Sequence, residues 1–213
     1  MKALIPLSIT VILIASISYL AQSTHIKKVK ALHGLTREAP AHSSLVNREK
    51  LQEKATAAKD FVRKKGYNNQ LCFLIDMNLP SGENRFFIYD LQKDSLLHSG
   101  LVTHGNCFQN WLEGRKYGNE VGCGCTSLGK YKIGIPYTGK WGYAYKLHGL
   151  DSSNSNAFER AVVLHSHSCV PETTQIDDIC QSNGCPTVSP GMLNTIKPLV
   201  NRSDKPVLLW MYE

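Results

Sequence analysis

The sequence predicts a mainly β domain of the barrel or sandwich kind, preceded by one helix and ending with a second, short one. Seven short apolar runs rich in strand-forming residues recur between residues 69 and 213, with turn residues between them. Helical periodicity is confined to one stretch ahead of that region and one near its end. The chain of 213 residues is long enough for one domain with a sizeable core plus an N-terminal extension. A hydrophobic fraction of 42% with 19% charged residues excludes a disordered chain.

Residues 1–21 begin with Lys2 and then run without a charge from Ala3 to Ala21. This is the pattern of an export segment, either a cleaved signal peptide or an uncleaved N-terminal anchor through residues 3–21. Both place the remainder outside the cytoplasm, in the periplasm or cell envelope. Residues 22–43 show no sustained period and read as a tether. From Ser44 to Lys65, Leu51, Ala55, Ala58, Phe61 and Val62 lie near one helical stripe, and Gly66 is placed to end that helix. The domain is thus expected over residues 44–213. Strands are expected at Leu71–Met77, Arg85–Leu91, Leu96–Thr103, Leu128–Ile135, Tyr143–Leu147, Arg160–His165 and Val207–Tyr212. A glycine-rich irregular stretch, 105–124, interrupts them. Ser189 before Pro190 makes a helix start running to about Leu199.

The net charge of +7, from 24 Lys and Arg against 17 Asp and Glu, suits an anionic envelope polymer or membrane surface. Nucleic acid is not expected, because the chain is exported and has no basic-aromatic motif. Seven cysteines, an odd number, leave at least one unpaired in an oxidising compartment. One partition is a single functional thiol with up to three disulfides. Cys107 is the expected partner for the Cys123-Gly124-Cys125 element, bracing the irregular stretch. Trp111, Tyr117, Trp141, Tyr143 and Tyr145 suit a sugar or peptide groove, although core packing is the commoner role for most such residues.

The chemistry-bearing segment is residues 162–190, VVLHSHSCVPETTQIDDICQSNGCPTVSP. An apolar strand ends in His165, Ser166 and His167, and a polar loop leads to Ser182-Asn183-Gly184-Cys185-Pro186. His165 and Cys185 stand 20 positions apart, so only folding brings them together, as for a nucleophile and its base on adjacent elements. A cysteine reacts as thiolate and needs a nearby imidazole to take its proton. Gly184 lets a carbonyl substrate approach the backbone, and the amides of Gly184 and Cys185 are the candidate oxyanion donors. Against this stands a structural reading, with Cys185 disulfide-bonded to Cys169 or Cys180.

His165, Ser166 and Ser182-Asn183-Gly184-Cys185 resemble the signature of the L,D-transpeptidase (YkuD-type) catalytic domain. Pro186 resembles that of its second branch, the murein L,D-transpeptidase catalytic domain. Val102-Thr103-His104-Gly105, Thr126-Ser127-Leu128-Gly129 and Glu159-Arg160-Ala161-Val162-Val163 are similar to that branch too, so the resemblance spans roughly residues 45–213. It implies that Cys185 attacks a carbonyl between an L- and a D-centre of a peptidoglycan stem peptide, forming a thioester. It further implies that His165 is the base, and that the backbone carbonyl at Ser166 orients it. An amine of another stem resolves the thioester; water in its place would make the enzyme an L,D-carboxypeptidase. No cofactor and no metal are implied. The sequence departs from the family where Asn183 replaces a histidine, Pro186 an apolar residue, and the arginine after the cysteine is missing. Arg160, Lys130 or Lys146 then become candidates to hold the substrate carboxylate. His167, two residues along the strand, competes with His165 as base.

Two other readings remain open to test. His165, His167 and Cys169 form a zinc-ligand pattern, with His148 and Asp151 as a short upstream partner pair. A wall-binding domain with a degenerate site would use the same fold without turnover.

Overall fold

The computed structural model describes residues 41–213. The expected export segment, 1–21, and residues 22–40 of the expected tether lie outside the described residues. Residues 47–213 form one compact unit. Helix α1 (Ala41–Lys65) begins three residues before the expected Ser44, because serine is only mildly unfavourable inside a helix and sets no start by itself. It ends at the expected place. Gly66 takes φ +70°, a left-handed conformation that costs glycine nothing, and the Tyr67 N–H donates to the Val62 carbonyl at 3.0 Å. Leu51, Ala55, Ala58 and Val62 are buried in one stripe against Cys72, Leu74, Leu208 and Tyr212, with Phe61 at the margin.

Eight strands follow: β1 (Leu71–Asp76), β2 (Phe86–Asp90), β3 (Ser95–Gly100), β4 (Gly129–Gly139), β5 (Gly142–Gly149), β6 (Val163–Ser166), β7 (Thr187–Val188) and β8 (Leu208–Tyr212). With α1 and a second helix, α2 (Pro190–Asn201), they give the mainly β fold that the sequence predicts. All eight join one mixed sheet in the order β3-β2-β1-β8-β4-β5-β6-β7. Strand β1 is buried along its whole length. Its alternate residues serve two layers: Cys72 and Leu74 meet α1, while Phe73 and Ile75 enter the main core. On that inner side α2 adds Met192, Leu193 and Ile196. The sheet curls until its outer strands approach one another. Val102, just beyond β3, makes an antiparallel bridge to Val188 of β7, and the Thr103 N–H donates to the Thr187 carbonyl at 3.0 Å. This near-closure covers edges that would otherwise be open.

Two stretches differ from expectation near the site. Residues 160–162 are a turn rather than strand: the Arg160 N–H donates to the Asn156 carbonyl at 2.8 Å and Ala161 has φ +55°. Apolar character there precedes pairing, which begins only at Val163 opposite Lys146 of β5. Strand β7 was not expected, being two residues long and lacking any readable period. No helix of the described residues is long and apolar enough to cross a membrane.

Candidate active site

The short strand β7 is what unites the two halves of the candidate site. It pairs in parallel with β6, His165 opposite Thr187, and Cys185 stands two residues before Thr187. The turn that carries Cys185 is held from several sides. Gly184 takes φ +104°, and a Cβ there would lie 2.6 Å from the Cys125 carbonyl oxygen, so conformation and space both demand glycine. The Ser182 hydroxyl donates to the Cys185 carbonyl at 2.7 Å and accepts from the Gly184 N–H at 3.2 Å. The Thr103 hydroxyl reaches the same Cys185 carbonyl at 3.2 Å. The Ser182 N–H donates to the His104 carbonyl at 2.9 Å. Of the two expected oxyanion donors, the Gly184 N–H is therefore engaged within the turn. The Cys185 N–H has no acceptor among the described residues.

His165 is buried. Its Nδ1 lies 3.1 Å from the Ser166 carbonyl oxygen. A carbonyl only accepts, so these partners assign the proton to Nδ1 and leave Nε2 as the basic nitrogen. Nε2 in turn lies 3.1 Å from the Thr187 hydroxyl. The half-exposed Trp141, at the β4–β5 turn, stacks over the imidazole with ring centroids 5.9 Å apart and planes at 23°. Burial holds the His165 pKa below the ordinary imidazole value; the Ser166 carbonyl opposes this and the nearby His167 adds to it. Burial likewise pushes the Cys185 thiol above its ordinary value, against the backbone N–H of Val163 and the positive charge of Arg160. Both shifts favour the uncharged forms, thiol and neutral imidazole, the states from which a general base would act on a thiol. Trp141, His165, His167, Asn183, Cys185 and Thr187 line a common cavity of about 180 Å³.

Other predicted residues fall in different places. His167 lines the cavity but is exposed; its Nδ1 accepts from the Cys169 N–H at 3.1 Å, and its ring meets Trp141 edge-on. It lacks the orienting carbonyl that His165 has. Arg160 spends its guanidinium on the 118–127 segment, donating to the Gly118 carbonyl at 2.9 Å, the Ser127 hydroxyl at 3.0 Å and the Cys125 carbonyl. It thus holds the backbone against which Gly184 packs. Lys130 pairs with Asp151 at 3.2 Å and lies over Trp210. Lys146 lies over Tyr137 and Phe158. Neither lysine lines the cavity, so neither holds a carboxylate there.

The cysteines resolve two open readings. Cys169 pairs with Cys180, and Cys107 with Cys125. Cys72, Cys123 and Cys185 are free. A Cys185 disulfide with Cys169 or Cys180 is thereby overturned, and Cys169 has no thiolate to offer zinc. His148, the upstream partner in the zinc pattern, is stacked on Phe158 outside the cavity. Of the aromatic residues, Tyr145 is core, Tyr117 and Tyr143 pack against it, Trp141 lines the cavity and Trp111 is exposed. Sequence reasoning gave no role to Thr187 or Thr103. The signal for Thr187 was its place two residues after the cysteine, where strand geometry returns a side chain to the same face.

Residues 42–212 match the family model of the L,D-transpeptidase catalytic domain. No curated protein matches the chain significantly. Among solved structures, the chain is similar to an L,D-transpeptidase from Mycobacterium smegmatis, with 10% identity and a TM-score of 0.39 over 68% of this chain and 59% of that one. It is also similar to the helical cell shape determining protein Pgp2 from Campylobacter jejuni, with 14% identity and a TM-score of 0.42 over 67% and 47%. An L,D-transpeptidase from Mycobacterium tuberculosis has 13% identity and a TM-score of 0.37 over 68% and 58%. The chain thus spans about half to three fifths of the length of these relatives. With a family match covering most of its length, the chain belongs to the L,D-transpeptidase catalytic domain family.

Proposed function

We propose that the chain is an exported cysteine acyltransferase that cleaves an L–D peptide bond in peptidoglycan stem peptides and passes the acyl group to an amine. The observation that carries this reading is the β6–β7 register, which sets an oriented imidazole beside the Cys185 turn. His165 Nε2 takes the thiol proton as Cys185 Sγ bonds to the stem carbonyl carbon. The Thr187 hydroxyl must leave Nε2 for this to occur. The developing oxyanion takes the Cys185 N–H as donor. Collapse expels the terminal D-residue as an amine, which receives the proton from His165, and leaves a thioester. An amine of a second stem then attacks, His165 takes its proton, and the thiol is regenerated on product release. Water in place of that amine gives the carboxypeptidase reaction.

Export is supported by the apolar run at residues 3–21 and by the two disulfides, which belong to an oxidising compartment. The test is mass spectrometry of a disaccharide-tetrapeptide incubated with the protein and excess free D-amino acid. Replacement of the terminal D-residue by the added one, absent with Cys185→Ala, is expected. Simple loss of that residue would assign water as acceptor. An unchanged muropeptide would argue for a binding domain without turnover.

A further inference from the structure

A cavity of about 840 Å³ lies outside the candidate active site and shares no lining residue with it. Its sheet side is built by β4 and β5. Lys132 stands directly opposite His148 in the antiparallel register, so both side chains lie on one face. Lys146, two residues before His148, lies on that face as well. Phe158 meets His148 and Lys146 from the loop before β6: its ring stacks on His148 with centroids 4.9 Å apart and planes at 15°, and Lys146 Nζ lies 5.3 Å from its centroid. Gly134 makes room for this stack, since a Cβ there would lie 2.7 Å from His148 Nε2. Across the cavity the α2–β8 connection supplies Asp204 and Lys205.

The charges of this lining are unbalanced. Among the described residues, Lys132, Lys146 and Lys205 have no carboxylate within ion-pair distance, whereas Lys130 on the same strand has Asp151. Asp204 is the single acid against three lysines. Burial, with Lys132 and Lys146 behind it, keeps His148 below the ordinary imidazole range. A concave surface with several unpaired cations and a half-exposed aromatic ring is complementary to an anion with a flat or apolar body. The cations are all lysines. Compact ammonium groups suit a phosphate as point charges, while the planar fork that favours bidentate carboxylate binding is missing.

We propose that this cavity is a second ligand site that binds a soluble phosphate ester, with the phosphate between Lys132 and Lys146 and the ester's organic part against Phe158. The probe is phenyl phosphate, titrated into the full chain while the His148 ring is followed by NMR. Bound phosphate should raise the His148 pKa, because it offsets the two lysines that depress it; Lys205 and Asp204 are the other charged groups lining the cavity. Lys132→Ala with Lys146→Ala should weaken binding at least about tenfold. Phe158→Ala should abolish the preference for phenyl phosphate over inorganic phosphate. Benzoate binding as tightly would overturn the choice of phosphate. Binding to phosphatidylglycerol vesicles without a response to phenyl phosphate would overturn a soluble ester in favour of a membrane surface. An unmoved His148 resonance, or unchanged affinity in the double lysine variant, would overturn the site itself.

Discussion

At the scale of single residues, the two histidines on β6 separate by what their ring nitrogens touch. His165 has Nδ1 anchored on the Ser166 carbonyl and Nε2 turned to the cavity, while exposed His167 accepts from the Cys169 N–H. His165→Ala is expected to lower kcat by about 10²- to 10⁴-fold, the usual range for losing a general base. His167→Ala should cost less than about tenfold; the opposite order in steady-state kinetics would transfer the role. The pH profile follows from the direction of the shifts. A base held below its ordinary pKa stays unprotonated as pH falls through 6.5, so the acid limb of kcat/KM should lie below that value. Because the Cys185 thiol sits above its ordinary value, iodoacetamide labelling should be slow at neutral pH and rise only in the alkaline range. Fast labelling at pH 6 would instead reveal a standing thiolate–imidazolium pair. Both proposed reactive residues stood out in the sequence because each lies in a short motif with its own chemistry. Thr187 offered only its two-residue spacing from Cys185, and Trp141 stood only as one of several aromatic residues suited to a groove: their places at the cavity follow from a strand register and a hairpin turn.

At the scale of elements, legibility followed length. Helix α1, with its stripe spaced by three and four residues and its terminal glycine, was read to within three residues at its start. The six-residue strand β1, buried on both faces, carried its own signal of continuous apolar residues. Strand β7 has two residues and exists only because β6 offers it a partner. Residues 160–162 look like strand by composition, yet Ala161 turns the chain and brings Arg160 onto the Cys125 carbonyl. Two substitutions test the packing of the helices. Ser189 caps α2, its hydroxyl accepting from the Met192 N–H at 3.1 Å. Ser189→Ala should lower stability in urea by about 1 kcal/mol. Ala58 is fully buried between α1 and the sheet, so Ala58→Leu should cost about 1–3 kcal/mol by overpacking. A neutral result there would mean that α1 docks less closely than the structure indicates.

At the scale of the whole molecule, a buried basic cluster behind the site couples stability to pH. Arg85 is fully buried, donating to the Val102 and Leu79 carbonyls and to His104 Nδ1 at 3.1 Å. Burial, with Arg85 and Arg115 beside it, pushes the His104 pKa down to about 4. The unfolded chain, at the ordinary value near 6.5, takes up the proton first. Stability is therefore full above about pH 6.5 and is lost as pH falls toward 4, by about 3 kcal/mol from this group. Urea unfolding at pH 7.5 and 4.5 should show a smaller loss for His104→Gln than for the parent chain. Since the His104 carbonyl also holds Ser182, the cluster ties the stability of the body to the turn that presents Cys185. In the proposed reaction this turn carries a thioester. Intact-protein and peptide mass spectrometry after brief mixing with disaccharide-tetrapeptide would capture it. An adduct of the muropeptide lacking its terminal D-residue, mapped to Cys185 and lost on adding an amine acceptor, is the predicted result. Turnover that persists in Cys185→Ala, or an adduct mapped to Cys72 or Cys123, would contradict it.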